Sequence, residues 1–217
     1  MSFAEIFLQL AQGVGYTALV TVLCSLTGVV IGLAAAMARR LCGRAGALLL
    51  DAFTFVFRAV PVLVLLFIVF FGLPGVGFRA PPLLAMMMSL GVIAGAYLAE
   101  VFRAAFDAVD ESEIQAAEAM GFSRLQVLRL VELPQMLRFA VPGMINEFTT
   151  VLKYSPFAYT VGIPDVMKEA MALSATTLRG VEIYAAVGVI YFLIYRVLVA
   201  GVWALEKRGR IPGLAAQ

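Results

Sequence analysis

The chain has 217 residues, 63% of them hydrophobic and only 30 charged (16 Lys plus Arg and 14 Asp plus Glu), where a soluble domain is about half apolar and a quarter charged. A mean hydropathy of +0.98 predicts an all-α integral membrane bundle in contact with lipid, and a net charge of +2 is too small to argue for a nucleic-acid partner. The absence of histidine excludes Ser-His-Asp and Cys-His chemistry and His-based zinc sites, and Cys24 and Cys42 form neither a disulfide framework nor a metal-ligand pair.

A helix needs about 20 mostly apolar residues to cross the hydrocarbon core. On that length the sequence predicts five transmembrane helices. The first, 14–38, is uncharged and carries Gly28 and Gly32 as a small-xxx-small pair suited to close helix approach. The second, 52–71, is interrupted by Arg58 and closed by the Gly- and Pro-rich stretch 72–82. The third, 83–102, is uncharged as far as Ala99. The fourth, 139–163, holds Glu147 and Lys153, and the fifth, 183–205, ends at Glu206-Lys207-Arg208. No secretory signal precedes the first span, so it is expected to be retained.

Ten basic residues, Arg39, Arg40, Arg44, Arg103, Arg124, Arg129, Arg138, Lys207, Arg208 and Arg210, fall on one side, against Arg79, Lys168 and Arg179 on the other. The positive-inside rule then places the N-terminus outside, and the C-terminus and the loop 103–138 in the cytoplasm.

That loop is patterned. Ser112-Glu113-Ile114-Gln115 and Ser123-Arg124-Leu125-Gln126 both fit the S-x-x-E/Q capping box and predict two helix starts. Gly121 is placed to end the first helix, 115–120, in a positive-φ turn, and Pro134 to end the second. The expected product is a helical hairpin between the third and fourth spans.

Gln115-Ala116-Ala117, three residues, Gly121, nine residues, then Val131-Glu132-Leu133-Pro134 resembles the cytoplasmic-loop signature of permease subunits of bacterial ABC importers. Gly15-Tyr16-Thr17, Phe57-Arg58-Ala59-Val60-Pro61, Ala96-Tyr97-Leu98-Ala99-Glu100, Val141-Pro142, Asn146, Lys153 and Glu206-Lys207-Arg208 extend the similarity to the polar amino acid and opine branch, histidine–lysine–arginine–ornithine-like, over most of the chain. Gln115 for Glu, Ala59-Val60 for Gly-Thr and Tyr154-Ser155-Pro156 for Asp-Thr-Ser depart from that pattern. The resemblance implies a non-enzymatic permease of the bacterial inner membrane, working by alternating access. Its coupling helix would dock on an ATP-binding cassette subunit, of which the importer holds two copies, through Gln115, Ala116, Ala117, Gly121, Leu133 and Pro134. It further implies a second permease, the same chain or a paralogue, and a periplasmic or surface substrate-binding protein.

The chain's own residues fit an external energy source. A P-loop needs lysine after glycine, and Lys153, Lys168 and Lys207 follow Leu152, Met167 and Glu206, so the chain cannot bind ATP by that motif and, if transport is ATP-driven, another polypeptide hydrolyses the nucleotide. No cofactor motif is present. In the fourth span Asn146, Thr149, Thr150 and Lys153 recur at helical spacing with Glu147 beside them, a polar stripe that reads equally as a substrate path or as inter-helix glue. An ion-gradient-driven secondary transporter is the alternative, but it predicts an internal repeat that five unequal spans do not show.

Overall fold

The computed structural model describes residues 2–42 and 44–208, so Arg210, counted above for orientation, lies outside the described residues. All regular structure in this range is helical, from α1 (Phe3–Ala11) and α2 (Val14–Leu41) through to α11 (Gly180–Arg208). Among the described residues, three helical stretches are long and apolar enough to cross a membrane: Val14–Leu41, Pro82–Asp107 and Gly180–Ala204.

The second predicted span is not one rod. Helices α3 (Arg44–Ala59) and α4 (Val62–Phe67) meet at 97°, counted as the pair Gly46–Ala59 and Val62–Val76. Pro61 causes the break: it caps α4 with extended backbone at ψ 134°, and its ring disfavours helical geometry at Val60. The chain continues through a π-turn (Ile68–Gly72) and a 3₁₀ turn (Leu73–Val76).

The third span starts with α5 (Pro82–Met86), widens into a π segment (Met87–Gly91) and proceeds as α6 (Val92–Asp107). Ser89, buried in the widened turn, donates to Ala85 O at 2.7 Å and so keeps a hydroxyl satisfied inside the bundle. Helices α2 and α6 form the most extensive pair in the fold. Their axes approach closely at glycine: a Cβ on Gly28 would stand 2.9 Å from Ala94 Cβ, and one on Gly32 2.8 Å from Leu98 Cβ. The small-xxx-small spacing is thus used as predicted.

Two helices escaped the sequence reading because they are too short to span. Helix α1 begins at a reciprocal Ser2–Glu5 capping box, and α10 (Val166–Thr177) follows the fourth predicted span. Ile6 and Leu10 of α1 pack on Val166, Ala170 and Leu173 of α10 and on Ile183 and Ala186 of α11. Asp165 caps α10 by accepting from Lys168 N at 2.9 Å, and Thr17 of α2 accepts from Val166 N at 3.2 Å, which ties α10 to the first span.

Asp165 is fully buried, and loss of water raises its pKa from 3.8 to about 6, against the opposing pull of backbone N–H donors. Folding therefore favours the protonated acid. Its contribution to stability is fully present below about pH 4 and is lost as pH rises through about 6. The unfolding temperature in detergent should fall over that window, by the equivalent of about 2–3 kcal/mol. Asp165→Asn, which keeps a neutral acceptor for Lys168 N–H, should flatten that part of the profile; an unchanged slope would remove Asp165 as its source.

Candidate functional site

The loop signature between the third and fourth spans folds as a hairpin, with corrected limits. Helix α6 continues to Asp107, so the loop predicted at 103–138 begins five residues later than expected, at Ala108. The first arm, α7 (Glu111–Ala119), starts at Asp110, whose side chain accepts from Ser112 N at 2.8 Å. The box predicted at Ser112–Gln115 is therefore not the cap, because the aspartate two residues earlier takes the role. Gln115 instead donates to Glu111 Oε1 at 3.4 Å along the helix.

Gly121 performs the predicted turn. Its φ of +87° lies in the left-handed region, and Gly121 N and Phe122 N donate to Glu118 O (2.9 Å) and Ala117 O (3.2 Å), the paired bonds of a Schellman C-cap. Two residues on, Ser123 N donates to Gln126 Oε1 at 2.8 Å and α8 (Arg124–Val127) begins.

Pro134 does not end that second arm. A π segment (Leu128–Glu132) carries α8 directly into α9 (Leu133–Tyr154), and Pro134 lies in the first turn of α9. A proline ring collides with the carbonyl four residues back when the helix is regular; the wider π-turn just before it accommodates the ring. The hairpin's second arm is thus continuous with the fourth predicted span. Gln135 of α9 reaches back to Glu113 Oε2 at 2.5 Å and fastens the two arms together.

Gln115, Ala116, Ala119 and Gly121 are exposed around the tip, whereas Ala117 is only 3% exposed and packs inward, so it offers no surface to a partner. Pro134 is exposed and Leu133 half-buried, both at the hairpin's foot. Met120, missed in the sequence, is 71% exposed beside Gly121, more than the neighbouring, half-buried Phe122. An apolar residue adjoining a turn glycine was the available signal.

The polar stripe of the fourth span divides. Asn146, Thr150 and Lys153 follow one line along the helix, exposed, half-buried and exposed in turn, while Glu147 and Thr149, which flank that line on opposite sides, are buried. Thr149 and Thr150 hydroxyls both donate to Asn146 O, at 2.8 and 3.0 Å, so the threonines satisfy their own helix. The helix ends at Tyr154 and the chain goes on as a 3₁₀ turn (Ser155–Val161), with Pro156 in its first turn. Arg58 stacks over the Tyr97 ring at 4.9 Å, and Glu100 pairs with Arg103 at 2.9 Å, so Arg58 and Glu100 are not partners of each other. The described residues contain no cluster of metal-binding side chains.

Glu132 is the residue that the sequence did not single out. It sits inside the signature at 1% exposure and receives Arg40 Nε of α2 at 3.1 Å. A pair separated by 92 positions leaves no local signal.

Comparison with known proteins gives the context. The family model described as a binding-protein-dependent transport system inner membrane component matches residues 28–210. The histidine/lysine/arginine/ornithine transport system permease protein HisQ of Escherichia coli is 35% identical over 83% of this chain and 84% of its own. The arginine transport system permease protein ArtQ of Bacillus subtilis is 29% identical over 91% and 90%. Among solved structures, an amino acid ABC transporter chain superposes with a TM-score of 0.84 at 27% identity, covering 96% of this chain and 99% of that one. The MetNI methionine ABC transporter shares the fold, with a TM-score of 0.78 at 23% identity over 97% and 100% of the two chains. These likenesses favour ATP-driven import over a gradient-driven transporter. The chain belongs to the binding-protein-dependent transport system inner membrane components, as a multi-pass permease of the polar amino acid ABC importer type.

Proposed function

We propose that this permease carries polar amino acids, basic ones or opines among them, across the cytoplasmic membrane by alternating access. Two copies of an ATP-binding cassette subunit hydrolyse ATP on the cytoplasmic side, and a second permease, the same chain or a paralogue, completes the path. A periplasmic or surface protein delivers the substrate. The chain crosses five times, with the N-terminus outside and the C-terminus inside; the broken α3–α4 pair counts as one crossing and α9 with its 3₁₀ extension as another.

The observation that carries the reading is the hairpin: a rigid, Schellman-capped tip exposing Gln115, Ala116, Met120 and Gly121, with its second arm continuous with α9. A push on the tip reaches α9 through an unbroken run of helical backbone, α8, the π segment and α9. The names of relatives, which include transporters of histidine, lysine, arginine and ornithine, support a cationic substrate.

Lys153 supports a path along α9. An exposed ammonium on an apolar helix must face water, a second subunit or the bilayer surface, and the second and first of these describe a dimer-lined path. Lys153→Met should lower uptake by reconstituted complex about tenfold or more while leaving assembly intact, since an exposed side chain is removed. Glu147→Gln is expected to lower uptake of cationic substrates more than that of neutral ones. Unchanged uptake of every amino acid in both variants would refute the path.

A further inference from the structure

An importer whose hairpin is pushed from the cytoplasm needs a route from the hairpin to α2, because α9 alone does not make a gate. This inference rests on the importer reading above. Glu132 is almost wholly buried at the hairpin's foot, and a carboxylate removed from water is retained only where cations compensate it. One oxygen, Oε2, accepts from Arg40 Nε at 3.1 Å, and Arg40 stands at the cytoplasmic end of α2. The other, Oε1, has no hydrogen bond among the described residues; Arg124 Nη1 of α8 lies 3.7 Å away.

Arg124 is divided between two acids. Its Nη1 is 3.8 Å from Glu118 of α7 and 3.7 Å from Glu132, within hydrogen-bond length of neither. A shift of α8 by about 1 Å would close one contact and open the other. Glu132 also ends the π segment Leu128–Glu132, where the widened backbone offers a place for the arm to change its angle. On the far side, the Arg40 guanidinium lies 5.6 Å over the Phe106 ring of α6 and lines a cavity of about 160 Å³, so it has room to follow.

We propose that Glu132 is a positioning residue of the transport cycle. The Arg40–Glu132–Arg124 network passes displacement of the hairpin to the cytoplasmic end of α2. Glu132 touches neither substrate nor nucleotide; it fixes the angle between the hairpin's second arm and the first span.

The test uses the full importer, this chain with its ATP-binding, permease and binding-protein partners, in proteoliposomes. Substrate imported per ATP hydrolysed is measured for wild type, Glu132→Gln, Arg40→Gln, the double variant, Arg40→Lys and Arg124→Gln. The expected result is a fall of fivefold or more in that ratio for the first two, with basal hydrolysis and assembly retained. The double variant should be no worse than either single change, and Arg40→Lys should recover most of the coupling. A purely structural role would lower the amount of assembled complex and leave the ratio alone. Should Glu132→Gln fail to accumulate, Arg124→Gln at an exposed position reads the same network from the hairpin side. An unchanged ratio, or losses in Arg40→Gln and Glu132→Gln that multiply independently, overturns the proposal. A wild-type chain that imports without ATP hydrolysis overturns the importer reading, and the proposal falls with it.

Discussion

Replacing Gly121 by valine is expected to release the ATP-binding subunit from this permease, and replacing it by asparagine to leave most of the association intact. The φ of +87° is the reason. A β-branched side chain in the left-handed region is strained by about 2–3 kcal/mol, enough to depopulate the turn by roughly 30- to 150-fold. Asparagine visits that region at modest cost. A Cβ at this position would meet nothing within 4 Å, so steric collision inside the chain makes no contribution and the comparison isolates backbone conformation. Loss of the turn also breaks the bonds to Glu118 O and Ala117 O and lets the tip residues Gln115, Ala116 and Met120 change direction.

The measurement is co-purification in mild detergent with quantitation of the ATP-binding subunit. Retention of the subunit by both variants would mean that the docking surface lies elsewhere on the cytoplasmic face. Loss from both would point to a contact at Gly121 itself that tolerates no side chain. Only loss from valine with retention by asparagine supports a conformational role.

The parts of the molecule that were legible in its sequence are those governed by local chemistry. Gly121 was found because a positive-φ position after a short helix admits few other residues, and Ser123 with Gln126 because the box is closed within four residues. Gly28 and Gly32 were found by their spacing. Pro61 was missed as a break because a hydropathy window sees only apolar content, and the 97° bend is geometric. Pro134 was misjudged in the opposite direction: no residue pattern marks the π-turn that accommodates it, whose Leu128 lies in the same core cluster as Phe102, Phe106 and Met136. Glu132 was invisible for the same reason, since its partner Arg40 belongs to another helix. The stripe on α9 was legible as a set of polar residues, but which side Thr149 and Glu147 face is decided by the helices around them.

The α2–α6 seam supplies the other large effect. Gly32→Leu should unfold the bundle in detergent at a markedly lower temperature, whereas Gly15→Leu on the same helix should leave it almost unchanged. A Cβ at Gly32 would stand 2.8 Å from Leu98 Cβ, 2.9 Å from Ala99 N and 3.0 Å from Gly95 O. Two of those three neighbours are backbone atoms of α6, which cannot rotate away, so the helices must separate along a seam that Gly91 and Gly95 also close against Thr27 and Ile31. Overfilling a packed interior costs about 1–3 kcal/mol where side chains can yield, and the backbone neighbours place Gly32→Leu at or beyond the upper end. In a membrane this packing has no hydrophobic substitute, because lipid tails solvate a separated helix as well as its partner does. At Gly15 a Cβ would find nothing within 4 Å, so the added side chain meets no obstacle. Equal melting of the two variants would show that the close approach of α2 and α6 contributes little to holding the bundle. A selective loss at Gly32 would show instead that the close approach of the first and third spans holds the bundle together, the packing that a displacement of α2 would have to carry along with it.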